Sequence, residues 1–184
     1  AKQTRRVSEN PALDLKGALK PKVITHHAAI TDPTQFGKLL QAIDGYEGTH
    51  VVRCLLKLCP LLFQRPGEMI AMEWAEIDWK KGLWRLPANK MKTRQAHDVP
   101  LSTQAVSILR DLEPLTGNLP YVFPNARRRK HHASPATINS ALQKLGYDTK
   151  RVHCAHGFRA SARTLLDEQL GYRLEWIEQQ LAHQ

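Results

Sequence analysis

His156-Gly157-Phe158-Arg159 opens a helical pattern near the C-terminal end of a 184-residue chain and sets an imidazole and a guanidinium three residues apart. On a helix that spacing puts both groups on one face. A helix N-terminus adds unpaired N–H groups and a partial positive charge. The stretch therefore reads either as a seat for one phosphate or as an ordinary surface helix start. Phe158, Ala162, Leu165 and Leu166 continue the helical period and turn that helix toward a core.

The charge balance bears on which reading holds. The chain has 27 Lys+Arg against 17 Asp+Glu, a net charge of +10, and a polyanion is the natural ligand of such an excess. Residues 121–164 hold nine Lys/Arg and a single acid, Asp148, so much of the excess surrounds the His-Arg pair in sequence. Within that span Arg127-Arg128-Arg129-Lys130 reads as a loop that either contacts a phosphate backbone or is merely solvated. Cys54, Cys59 and Cys154 form no CxxC pair, which excludes a disulfide framework and a zinc ribbon and points to reduced thiols in the cytoplasm. His153, Cys154 and His156 lack a fourth ligand nearby, so no metal site and no cofactor are expected. Apolar runs fall short of the ~20 residues of a membrane span, and the N-terminal residues lack the apolar segment of a signal peptide; no membrane partner is expected.

Elsewhere the chain reads as helices with one small β element. Residues 1–28 have no sustained period and read as a linker or arm, with 29–184 as one domain. Asp32-Pro33 starts a helix over 33–44 that Gly45 ends, with Phe36, Leu39, Leu40 and Ile43 at core spacing. A buried helix follows from Val51 to Leu62, with a kink expected at Pro60. It delivers Gln64-Arg65-Pro66-Gly67-Glu68, in which Arg65 is either placed by packed structure or simply pairs with Glu68 at the surface. Trp74, Trp79 and Trp84 read as core. Leu83–Leu86 and His97–Leu101 read as strands flanking a Lys-tipped hairpin. Lys92 at that tip could serve solubility or donate a proton. Helices over 102–113, 134–145 and 174–182 complete the pattern, the last with Trp176, Ile177 and Leu181 inward.

Taken in order, Arg65-Pro66-Gly67-Glu68, the hairpin lysine, His97-Asp98-Val99-Pro100-Leu101-Ser102, His156-Gly157-Phe158-Arg159 and Leu181-Ala182-His183 resemble the catalytic domain of tyrosine recombinases, in particular satellite-phage and genomic-island integrases. The resemblance runs from about His26 to the end. It implies a mainly α domain with a small antiparallel β element, and site-specific recombination of double-stranded DNA through a 3′-phosphotyrosyl intermediate on a tetramer. Carried over, it makes Arg65 and Arg159 the clamps on the scissile phosphate, a task suited to the guanidinium fork. It makes Lys92 the general acid for the leaving 5′-oxygen, with Lys90 as fallback. His156 becomes the histidine that assists proton transfer, His183 the second histidine on the phosphate, and Glu68 the supporting acid. Positive charge placed where charge develops makes a divalent metal unnecessary.

One part of the pattern is missing. The family's nucleophilic tyrosine falls a short way beyond His183, and Tyr46, Tyr121, Tyr147 and Tyr172 do not match its position. The chain is therefore expected to be a fragment without its nucleophile and inactive in cleavage. Two other functions compete with recombination. A metal-dependent nuclease would use Glu73, Glu76 and Asp78, which read instead as a solvated turn. A non-catalytic DNA-binding regulatory module would explain the charge without requiring the five site residues together.

Overall fold

The computed structural model describes residues 26–91 and 94–182. Its centre is the apolar helix α2 (His50–Leu62), which buries Cys54, Leu55, Leu56, Leu58, Cys59 and Leu62. Around it pack α1 (Pro33–Asp44), α4 (Thr103–Thr116), α5 (Thr137–Lys144) and α6 (Gly157–Thr164), with the short α3 (Pro66–Ile70) following directly from its C-terminal end. The chain after α6 makes a π-helical turn, Leu165–Gln169, and finishes its described part with α7 (Leu174–Gln180). α2 runs through Pro60 to Leu62; the proline removes the N–H that would have bonded the Leu56 carbonyl, and the burial of the helix's core-facing residues outweighs that loss. Burial also pushes the Cys59 thiol up to about 12 and that of Cys54 up to about 11, so both stay protonated at neutral pH.

The sheet is antiparallel, in the order β1 (Ile77–Asp78), β2 (Leu83–Leu86), β3 (His97–Pro100), with Trp84 opposite both Ile77 and Val99 and Leu86 opposite His97. Alternation puts Trp84, Leu86 and Val99 on the buried face. Gly82, at φ 62°, makes the turn between β1 and β2 in a left-handed conformation that costs other residues strain. The expected helices and hairpin are thus present, with shifted ends. α4 extends three residues beyond the 113 boundary. α5 begins at Thr137 because Ser134 and Pro135 form a turn in which the Ser134 hydroxyl accepts the Ala136 N–H.

Three tryptophans depart from the sequence reading. Of the trio expected in the core, Trp84 alone is fully buried, at 0% exposure. Trp74 and Trp79 are half-buried; they stack on each other, and the Arg110 guanidinium lies 3.6 Å over the Trp79 ring. Trp176 is not inward but 56% exposed. α7 is a narrow helix whose buried stripe is taken by Ile177 and Leu181, four residues apart, and Trp176 lies about 100° around from Ile177.

Residues 26–31 cross the start of α6 as an extended strap. Ala28 accepts the Cys154 N–H, the Ile30 N–H donates to His153 Nδ1 at 3.1 Å, and Ser161 Oγ donates to the Ile30 carbonyl. Gly157 makes this crossing possible: a Cβ there would sit 2.4 Å from the Ala28 carbonyl oxygen.

Candidate active site

The site forms where the C-terminal end of α2 meets the N-terminal end of α6. Phe63 closes α2 in a left-handed conformation, φ 57°, with its N–H bonded to the Cys59 carbonyl. Such a backbone is costly for a bulky residue and persists only where the surroundings hold it. It turns Gln64 inward, 3% exposed, and brings Arg65 out at the start of α3. Glu68, one turn on, accepts the Arg65 backbone N–H at 3.1 Å through Oε2 and its Nη1 at 2.9 Å through Oε1. The Arg65–Glu68 pair is not a surface ion pair: the Glu68 side chain is 7% exposed and that of Arg65 24%. The carboxylate holds the guanidinium in one orientation while part of it stays open to solvent.

Arg159, from the first turn of α6, is 8% exposed and bridges two helix ends. Its Nη1 donates to the Phe63 carbonyl at 2.7 Å and its Nη2 to the Leu181 carbonyl at 2.6 Å. Burial first, and then the nearby Arg65 charge, bring its pKa down to about 10, against the pull of Glu68 and Glu178. It remains a cation at neutral pH. His156 stands immediately before α6 at the solvent edge, its ring stacked on His27 of the strap at 4.4 Å and 12°. Partial desolvation, followed by the charges of His27, Arg159 and Arg65, lowers its pKa, which favours the neutral ring, the form able to accept a proton.

A second set of bonds ties the rim of this pocket together. Gln64 Nε2 donates to the Leu62 carbonyl at 3.0 Å and to that of Gln180 at 2.7 Å, and Gln180 Nε2 bonds Leu62 in return. His97 Nε2 lies 3.3 Å from the same Gln180 carbonyl, a bond the ring makes with its proton on Nε2. β3 and the end of α7 are therefore joined at one atom. Lys92 and His183 lie outside the described residues; these two elements lead to them in sequence.

The structure thus brings together Arg65 and Glu68 with His156 and Arg159, which lie about half the chain length apart in sequence. His27, Phe63, Gln64 and the Gln180 carbonyl join them and were missed from sequence, since a backbone carbonyl or a lone histidine in an extended arm gives no periodic or spacing signal. The fallback lysine has a different place. Lys90 Nζ bonds Glu73 at 2.7 Å, Glu76 at 2.5 Å and the Ala71 carbonyl at 3.2 Å, which occupies all three of its donors. Although desolvation opposes it, the two carboxylates raise its pKa overall. Glu73 and Glu76 are accordingly not a solvated turn. Glu76 also accepts from Trp84 Nε1 at 3.0 Å, and Asp78 pairs with Arg85 at 2.7 Å, so each of these acids has a basic partner within the protein. The basic run Arg127 to Lys130 is exposed on a loop shaped by Asn125 Oδ1, which accepts the N–H groups of Arg127 and Arg128. Arg127 and Arg129 line a cleft with Thr49, Val51 and Leu115. The loop therefore lies toward the N-terminal end of α2, at the other end of that helix from Arg65, and its closeness to the His-Arg pair is one of sequence only.

The helical scaffold with its small three-stranded antiparallel sheet is the tyrosine recombinase catalytic-domain fold. Over 91% of its length the chain superposes on half of lambda integrase as found in a tetramer bound to a Holliday junction, with a TM-score of 0.67 at 16% identity. It also covers 91% of the lambda integrase catalytic core, with a TM-score of 0.61 over 85% of this chain at 16% identity. Residues 30–184 match the phage integrase family, and the chain belongs to it. It is similar along its whole length to the integrase of Enterobacteria phage P4, at 36% identity over 195 aligned residues, and covers 44% of that protein. The chain thus spans about half the length, or less, of the curated relatives it matches. Among the described residues no helix is long and apolar enough to cross a membrane.

Proposed function

We propose that this domain works in site-specific DNA recombination, in the cytoplasm, by breaking and rejoining duplex DNA at attachment sites as part of a tetramer. The observation that carries the reading is the convergence of Arg65 and Arg159 beside His156, whose pKa is lowered, with Glu68 paired to Arg65. Such a pocket has a surplus of positive charge and donors already fixed in place, which suits the two non-bridging oxygens of a phosphodiester and the charge that grows on them during in-line attack.

In the proposed step a tyrosine oxygen bonds to phosphorus as the P–O5′ bond breaks. His156 takes up the phenol proton, Lys92 delivers one to the leaving 5′-oxygen, and His183 donates to the phosphate. The tyrosine is none of the four in this chain: Tyr46 is 5% exposed and packed in the core, and Tyr121, Tyr147 and Tyr172 do not match the family's position. Arg127 to Lys130 hold the duplex backbone away from the chemistry.

A nicked suicide substrate on a denaturing gel tests this. The 184-residue chain gives no covalent band. A chain that also carries the nucleophilic tyrosine gives one that resists EDTA and disappears with Arg65→Ala or Arg159→Ala while duplex binding persists. A band from the 184-residue chain would make an internal tyrosine the nucleophile. Binding without cleavage in every version would leave a regulatory DNA-binding module as the function.

A further inference from the structure

A second cluster of reactive side chains lies at the other end of α2. His50 and Cys54, one turn apart on that helix, share a face, and Asp111 of α4 reaches toward them. His50 Nε2 is 2.9 Å from Asp111 Oδ2 and 3.5 Å from Cys54 Sγ, and the three ligand atoms lie within 4.8 Å of one another. Tetrahedral zinc, with bonds of about 2.0 Å to nitrogen or oxygen and about 2.3 Å to sulfur, would hold its N and S ligands about 3.5 Å apart and its N and O ligands about 3.3 Å apart. The N···S separation already has that value, and the N···O separation needs a small side-chain rotation.

The surroundings leave room for a cation. Two basic residues flank the cleft, and both are turned to other acceptors: Arg53 Nε donates to the Tyr46 carbonyl at 2.9 Å, and Lys57 Nζ pairs with Asp44 at 3.0 Å. The cleft opens to solvent past Ser107, and the side chains of His50 and Asp111 are 40% and 66% exposed, so an ion has a route in and room for a water as fourth ligand. We infer that His50, Cys54 and Asp111 form a site for zinc or a similar borderline-soft divalent ion, joining the N-terminal end of α2 to α4. A nitrogen, sulfur and oxygen donor set selects such ions over magnesium or calcium. Cys54 binds as thiolate, its proton passing to solvent. His50 lies about 18 Å along α2 from Leu62, near which Arg65 emerges, so the ion braces the scaffold and takes no part in the proposed phosphate chemistry. The spacing gave no hint in sequence because the third ligand comes from another helix.

Cobalt(II) titration of the untagged, metal-stripped 184-residue chain tests the inference. One equivalent is expected to produce the near-ultraviolet thiolate-to-cobalt band and the intense visible bands of four-coordinate cobalt, both erased by zinc. Cys54→Ser should lose the thiolate band, and Cys59→Ser should keep it. Asp111→Asn is the safer variant, because that side chain is exposed and the fold does not depend on it; cobalt affinity should fall by at least about tenfold, and the rise in Tm with zinc should vanish. Absence of the bands in the unaltered chain, their survival in Cys54→Ser, or unchanged affinity in Asp111→Asn would each overturn the site.

Discussion

The cluster around Lys90 and the one around Arg65 and Arg159 both join basic side chains to carboxylates. Around Lys90, one ammonium meets two carboxylates and a backbone carbonyl, and its donors are all used. Around Arg65 and Arg159, two guanidiniums lie beside an imidazole; the Glu68 carboxylate holds Arg65, and the backbone carbonyls of Phe63 and Leu181 orient Arg159. The first cluster is closed and pins the small sheet to the loop before it. The second has a charge surplus at a solvent edge. In the proposed reaction a phosphate completes the second and has nothing to offer the first.

The sharpest way to break this contrast is Arg159→Ala in a chain that also carries the nucleophilic tyrosine. Strand cleavage should drop by about a hundred- to a thousandfold in single-turnover assays, with Arg159→Lys little better because the fork is lost. A variant that cleaves normally would remove the pocket from the chemistry.

Next in size is an acid effect on the wall behind the pocket. Burial takes the His153 pKa down to about 4, and its Nδ1 accepts the Ile30 N–H of the strap. A base whose folded pKa is depressed contributes stability that is complete above its unfolded value, about 6.5, and is lost as pH falls through the folded value. Unfolding in urea should therefore show about 3 kcal/mol lost between pH 6.5 and 4. His153→Asn, which keeps an acceptor but does not titrate, should flatten that slope.

The complement to the arginine experiment is Lys90→Met. It leaves Glu76, whose side chain is 9% exposed, with an uncompensated charge. Stability should fall by about 1–3 kcal/mol in chemical denaturation, less than the ~3–5 kcal/mol of a fully buried broken pair because Glu73 and Lys90 are partly solvated. Cleavage by the folded fraction should not change. Loss of cleavage at unchanged stability would instead make Lys90 the proton donor.

Smallest per residue is the basic loop. Each of Arg127, Arg128, Arg129 and Lys130 that touches a phosphate should contribute about −0.9 to the log–log salt slope of duplex binding. Neutralising all four should flatten the slope and leave the single-turnover rate at saturating DNA as it was. A rate effect would show that the loop reaches the phosphate pocket after all.

The local signals were legible in the chain itself. Pro33 after Asp32, the apolar run ending at Leu62, the alternation in β2 and β3 and the spacing from His156 to Arg159 all act within a few residues, and the structure keeps each of them. Which helix face wins was less legible. Trp176 and Trp79 are as apolar as Trp84, yet burial depends on the width of the stripe a neighbouring element can cover, and that neighbour comes from elsewhere in the chain. The residue types at the candidate site were readable, but not their state. Whether Lys90 is free or neutralised depends on Glu73 and Glu76, and whether Arg159 is fixed depends on carbonyls near residues 63 and 181. Charge and hydrogen bonding act through space over a few ångströms, whereas sequence records only distance along the chain. Sequence alone therefore determined most of the helices, two of the three strands and the candidate side chains, whereas β1 and the question of which side chains meet were decided by tertiary packing.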